Sequence, residues 1–204
     1  MNAYLSRLGI CPEVQEWITP YYQTDGTGNL CFSYGANTEV FGLAFHRVPS
    51  TMGCWIAGPE NLIAVRQVVI CNSAMEATSW LNFNFSAFST LDTLLLVAIG
   101  SNLVNNKLNR LRYLMPGRKY ILLFGNDLLG HICDLKAAAL LAGNPAEVGV
   151  SEDMVWIRFR NQYFQIPGES FSLHAFERLS RHRFCVKTSK PSLHNSWLAQ
   201  LQYS

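Results

Sequence analysis

The 204-residue sequence predicts an α/β fold: a parallel sheet flanked by helices, preceded by a small N-terminal α+β unit. Three observations carry this. "RQVVICN" (66–72), "TLLLVAIG" (93–100) and "KYILLFG" (119–125) are short, uniformly apolar runs, as expected of strands buried on both faces. A helical pattern follows each of them, at 73–83, 103–115 and about 128–142, which is the alternation of a parallel sheet. Residues 20–60 differ in character: "NLCFSYG", "VFGLAFHRV" and "GCWIAG" are aromatic-rich and separated by Gly, Asn and Asp, predicting a small antiparallel β-unit. The chain is therefore divided into a subdomain over 1–65 and an α/β domain over 66–204, the latter with a mildly basic C-terminal extension.

Each element has a local reason. Tyr4, Leu5, Leu8, Val14, Trp17 and Ile18 recur at helical spacing, with Gly9 and Pro12 splitting the helix in two. Ser73 and Glu76 have capping-box spacing at the start of the 73–83 helix. Pro116 ends the 103–115 helix. "DMVWIRF" (153–159) reads as a fourth strand. Beyond it, "NQYFQI" and "RFCVKTS" read as strands, and "SLHAFERLS" and "HNSWLAQLQ" as short helices.

The 49% hydrophobic and 12% aromatic content supplies a full core, and 15% charged residues is low enough to suggest a face hidden by a partner. A net charge of +2 does not by itself announce nucleic-acid binding. The distribution is uneven, however: residues 1–150 hold nine Lys/Arg against ten Asp/Glu, and 151–204 hold seven against four. Cysteines 11, 31, 54, 71, 133 and 185 form neither a C-x-x-C pair nor a zinc-spaced cluster. No two of the five histidines stand four apart. The first residues lack signal-peptide design, and the longest apolar run, Leu94–Ile99, is far too short to span a membrane. The expectation is a cytoplasmic protein with reduced cysteines and no membrane association.

Ligands of open parallel sheets gather at the carboxyl ends of the strands. Those ends read Asn72-Ser73, Gly100-Ser101-Asn102 and Gly125-Asn126-Asp127. Ser, Asn, Asp and Gly are also ordinary turn and N-cap residues. "VVICNSAMEATSW", "VAIGSNLVNNKL" and "LLFGNDLLGHICDLKAAA" resemble, in order and spacing, the three strand–turn–helix motifs of a Toprim domain. That domain is the phosphoryl-transfer core of bacterial primases and topoisomerases. Upstream, "YLSRLGICPEVQEWITPYY" and "NLCFSYGANTEVFGLAFHR" resemble the N-terminal part of a primase catalytic core, with a Gly-to-Arg signature at Gly42–Arg47. "SKPSLHNSWLAQL" is similar to a late acidic segment of such domains.

The departures from that pattern govern the function it implies. Asn72 stands where the resemblance places the Toprim Glu, Gly125 where it places the first Asp of Asp-x-Asp, and Asn195-Ser196 in the late segment; only Asp127 remains. Mg²⁺ is held through carboxylates and phosphate oxygens, and two-metal phosphoryl transfer needs several acids. No cofactor is expected on this count. The resemblance thus implies a non-catalytic primase-like protein that binds nucleic acid, single-stranded DNA foremost, or a replication or mobilisation partner. The expected binding edge comprises Asn72, Ser73, Gly100, Ser101, Asn102, Gly125, Asn126, Asp127, Gly130 and His131. Helix-start N–H groups would receive phosphate there, on an edge relieved of repelling carboxylates. Basic contacts would come from Arg47, Lys107, Arg110, Arg112, Arg178, Arg181, Arg183, Lys187 and Lys190, with Tyr163, Phe164 and Phe184 as stacking candidates.

Two alternatives stand beside this reading. One is a Mg²⁺-dependent nucleotidyl or phosphoryl transferase using Glu76 and Asp127. The other is a structural or oligomerisation module. Glu76 and Asp127 also fit capping roles, and Asp134 reads as an exposed helix charge near Lys136.

Overall fold

The computed structural model describes residues 2–102 and 105–204. Two short helices, α1 (Ala3–Arg7) and α2 (Pro12–Ile18), open the chain, and Gly9 turns between them with φ +82°. Strands β1 (Gln23–Thr24), β2 (Leu30–Ser33), β3 (Thr38–Gly42) and β4 (Phe45–Arg47) form an antiparallel meander. Next come β5 (Trp55–Ala57), β6 (Gln67–Cys71), α3 (Ala74–Asn84), β7 (Leu94–Ala98), α4 (Asn105–Leu114), β8 (Lys119–Leu122) and α5 (Leu128–Leu141). The chain ends with β9 (Glu147–Ser151), β10 (Met154–Phe159), β11 (Gln162–Pro167), α6 (Leu173–Ser180), β12 (Lys187–Thr188) and α7 (Trp197–Tyr203). The expected start of the third long helix, at 103–104, lies outside the described residues.

The central sheet has the order β12-β8-β6-β7-β5. Its first four strands are parallel, and β5 runs antiparallel to β7. Alternation along the strands sorts side chains between two cores. Val68, Ile70, Leu95, Val97, Tyr120 and Leu122 face the layer of α4, α5 and α6. Val69, Cys71, Leu94, Leu96, Ala98 and Ile121 face α2, α3 and α7. Burial on both faces explains why these strands carry no polar alternation.

Three expectations are corrected. "GCWIAG" does not complete the N-terminal β-unit; its strand β5 is the edge of the central sheet. Leu5, Ile10, Val14 and Phe32 share one core with α3 and α7, so sheet and core both run across the division at 65/66. "DMVWIRF" is a strand, but it belongs to a separate antiparallel sheet, β11-β10-β9. Its alternation of buried Val155, Ile157 and Phe159 with exposed Trp156 and Arg158 is the mark of a sheet with one wet face.

Candidate nucleic-acid interface

The chain passes from β6 through α3 to β7 on one side, then returns through α4 to β8 on the other. The carboxyl ends of β6 and β8 therefore flank a topological switch point, the usual ligand crevice of such sheets. In this molecule the crevice is filled from within. Ser73 is buried and its Oγ accepts the N–H of Glu76 at 3.1 Å. The first two amides of α3 donate instead to a residue from β3: Ala74 N lies 2.8 Å from Glu39 Oε2, and Met75 N 3.2 Å from Oε1. Glu39 is fully buried and also accepts from the Tyr34 hydroxyl at 2.5 Å and contacts His46 Nε2 at 2.9 Å. Burial, reinforced by this carboxylate, holds the Tyr34 phenol well above its ordinary pKa.

Glu76 caps a helix other than the one it belongs to. Its Oε2 accepts Trp197 N at 2.9 Å, and both oxygens reach Leu198 N at 3.4 Å, at the start of α7. The capping box is thus only half formed: Ser73 Oγ accepts the Glu76 N–H, the Glu76 carboxylate turns to α7, and Glu39 takes the first two amides of α3. Burial pushes the Glu76 carboxyl up, while bonds from Ser196, Trp197 and Leu198 pull it back. Asp127 is exposed and caps α5, accepting Gly130 N at 2.7 Å. Gly130 is required there, since a Cβ would stand 1.9 Å from the Gly125 carbonyl oxygen.

At β8, Asn126 N donates to Asn195 O at 2.7 Å, so the tail segment does reach this strand end. Lys190 follows it in: its Nζ donates to the carbonyls of Phe124 at 2.9 Å and Gly125 at 2.7 Å. The same ammonium lies 2.6 Å from Asp134 Oδ2. Asp134 is completely buried, contrary to the expected exposed charge, because α5 turns it inward beneath the strand end. His131 Nδ1 stands 3.8 Å from the same oxygen. At β7, Ser101 N bonds Pro49 O at 3.0 Å and Asn102 Nδ2 bonds Ser50 Oγ at 2.6 Å, tying the 49–51 loop to the sheet. Gly100, at φ +76°, leaves only 2.5 Å between a hypothetical Cβ and Pro49 O.

The charge of this edge also differs from expectation. A groove of about 660 Å³ beside Asn126, Asp127 and His131 is lined further by Glu152, Asp153 and Glu169. Acids from the β9–β10 turn and the segment after β11 restore the negative potential that the strand ends lack, which disfavours a phosphodiester here. Among the described residues, no group of three or more His, Cys, Asp or Glu is arranged to hold a metal ion. Of the predicted bases, Lys107 and Lys190 are turned inward onto carbonyls. Arg47, Arg110, Arg112, Arg178, Arg181, Arg183 and Lys187 are exposed.

A different surface gathers bases with aromatics. The wet face of β10 and β11 carries Trp156, Arg158 and Tyr163, with Arg158 directly opposite Tyr163. Tyr163 is 75% exposed and Trp156 40%, the latter lying flat over Gly149 on β9. The β10–β11 turn holds Arg160 and Asn161 at φ +49° and +62°. The Arg160 guanidinium sits 5.3 Å from the Phe159 ring, which contacts His182 at 5.2 Å between centroids. Arg181 and Arg183 flank His182, so the turn and the end of α6 form one basic lobe. Burial first, and Arg160 second, lower the His182 pKa. Among the described residues none of Arg160, Arg181 and Arg183 is ion-paired, whereas Arg158 pairs with Glu147.

Phe164 and Phe184, also expected as stacking residues, pack on Phe176 in the core. Trp156, Arg158 and Arg160 were not among the expected contacts. The two-residue alternation of "MVWIRF" carried the signal for Trp156 and Arg158, because it places both on one strand face; Arg160 lies past the strand, in the turn.

Comparison with protein-family models, curated proteins and solved structures finds no significant match. The functional reading therefore rests on the site itself.

Proposed function

We propose that this is a non-catalytic, degenerate Toprim- and primase-like protein that binds single-stranded nucleic acid. The observation that carries the binding reading is the lobe formed by Arg160, Arg181 and Arg183 at the end of the hairpin whose wet face exposes Tyr163 and Trp156. Cations that lack internal partners attract a phosphate backbone, and exposed rings give unpaired bases a stacking surface. A duplex hides its bases from such rings, so the single strand is the better match.

The relationship to Toprim domains is supported by three adjacent strand–turn–helix units and by the return of the tail to β8 at Asn195. The non-catalytic reading follows from how the acids are used. Glu39, Glu76 and Asp127 each cap a helix, and Asp134 neutralises Lys190. In the alternative, Glu76 and Asp127 would hold Mg²⁺, and Glu76 would first have to release the amides of α7. Under the non-catalytic reading, a replication or mobilisation protein is the other candidate partner.

Fluorescence anisotropy with labelled oligothymidylate tests the proposal. The wild type binds at low salt, and the triple variant Arg160→Ala, Arg181→Ala, Arg183→Ala binds at least about tenfold more weakly, as expected when several phosphate contacts are lost. Equal binding by the two proteins would refute this assignment.

A further inference from the structure

On the face of the sheet covered by α4, a cavity of about 500 Å³ opens between the β5–β7 edge and the helix. Its volume lies within the range of small-molecule sites. The floor is apolar, with Leu95 and Val97 from β7, Leu111 from α4 and Met115 just after it. Met52, Ile56 and Leu114 stand at the mouth and remain between 47% and 66% exposed, an apolar rim that no described residue covers.

Two cations enter this apolar space. Arg110 lines it from the exposed side of α4. Lys107 lines it from within, at 6% exposure, with its Nζ donating to the Ile99 carbonyl. One carbonyl satisfies one of three ammonium N–H groups and supplies no countercharge. No carboxylate among the described residues pairs with Lys107. Residues 103–106 are Leu, Val, Asn and Asn, so the chain just before it brings no acid either. A buried charge without a partner is costly, and proteins keep one chiefly where something else neutralises it. Burial depresses the Lys107 pKa, with only the half-buried Cys54 thiol beside it acting in the other direction.

We infer that this cavity binds a small anionic amphiphile, with an apolar chain on Leu95, Val97, Leu111 and Met115 and a carboxylate held between Lys107 and Arg110. The charge complementarity selects the anion, and the apolar floor selects the chain. Neither feature suits a polynucleotide, so the site is separate from the basic lobe.

The test is calorimetric titration of the intact protein with decanoate, with decanol as the uncharged control. Decanoate binds saturably as a monomer, and decanol binds about tenfold more weakly or less, in keeping with loss of a desolvated charge pair. Lys107→Met keeps the stem without the charge and weakens decanoate about tenfold or more while leaving decanol unchanged. Because that variant also strands the Ile99 carbonyl, Arg110→Gln is measured beside it; this residue is exposed, and its loss weakens decanoate severalfold without unfolding the protein. Absence of saturable decanoate binding, equal affinity for decanol, or unchanged decanoate affinity in Arg110→Gln would each overturn the assignment.

Discussion

Lys190 Nζ lies 2.6 Å from Asp134 Oδ2 while donating to two carbonyls at the end of β8. An ammonium ringed by three oxygens thus sits just beyond the end of β8. The protein carries its own cation there, on a tether from the C-terminal segment.

Asp134 is fully buried and Lys190 largely so, and removing the lysine leaves a buried carboxylate without its countercharge. Lys190→Ala should destabilise the fold by about 3–5 kcal/mol in chemical denaturation. Adding Asp134→Leu to Lys190→Met should recover most of that loss, since replacing a buried pair with apolar groups is often neutral. A double variant no more stable than the single would show that the ion pair is not what couples the tail to β8.

Glu76 gives a pH prediction with a definite sign. Its folded pKa is raised above the ordinary 4.5, with burial the main cause. The folded state therefore holds the proton more tightly than the unfolded chain, and the associated stability is fully present below pH 4.5. It is lost as pH rises through the folded pKa. In Glu76→Gln, whose amide oxygen can still accept from Trp197 N, this component should vanish from denaturation midpoints measured across that window. An unaltered pH profile would mean that Glu76 does not titrate there.

The β10–β11 turn separates binding from stability. Two-residue hairpin turns with both residues at positive φ favour Asn or Gly, yet the first position here is Arg160. Arg160→Gly should raise stability by roughly 0.5 kcal/mol while weakening oligothymidylate binding. Stability and affinity moving down together would indicate a structural role for the guanidinium.

Aromatic neighbours on β11 should divide in the same way. Tyr163→Ala should cost about 1–3 kcal/mol of single-strand affinity, the worth of one stacked base, and little stability. Phe164→Ala should destabilise the fold, because Phe164 packs edge-on to Phe176.

The sequence made the central strands and their helices readable because each strand is apolar on both faces and α3 and α5 open on side-chain caps. It also marked Ser73 and Asp127 as caps. What it hid were relationships between distant segments. Glu39 reaches α3 from 35 positions away and Glu76 reaches Trp197 from 121, so no local spacing could reveal either. Asp134 looked solvent-exposed because its partner Lys190 comes from the far end of the chain. Short strands such as β5 and β12 are assigned to a sheet by their neighbours and not by their own residues.

The most direct measurement is the salt dependence of oligothymidylate affinity in the wild-type protein. With three to four arginine–phosphate contacts, log K should fall linearly with log salt at a slope of about −2 to −3. A slope indistinguishable from zero, or no binding at the lowest salt, would contradict the nucleic-acid-binding account.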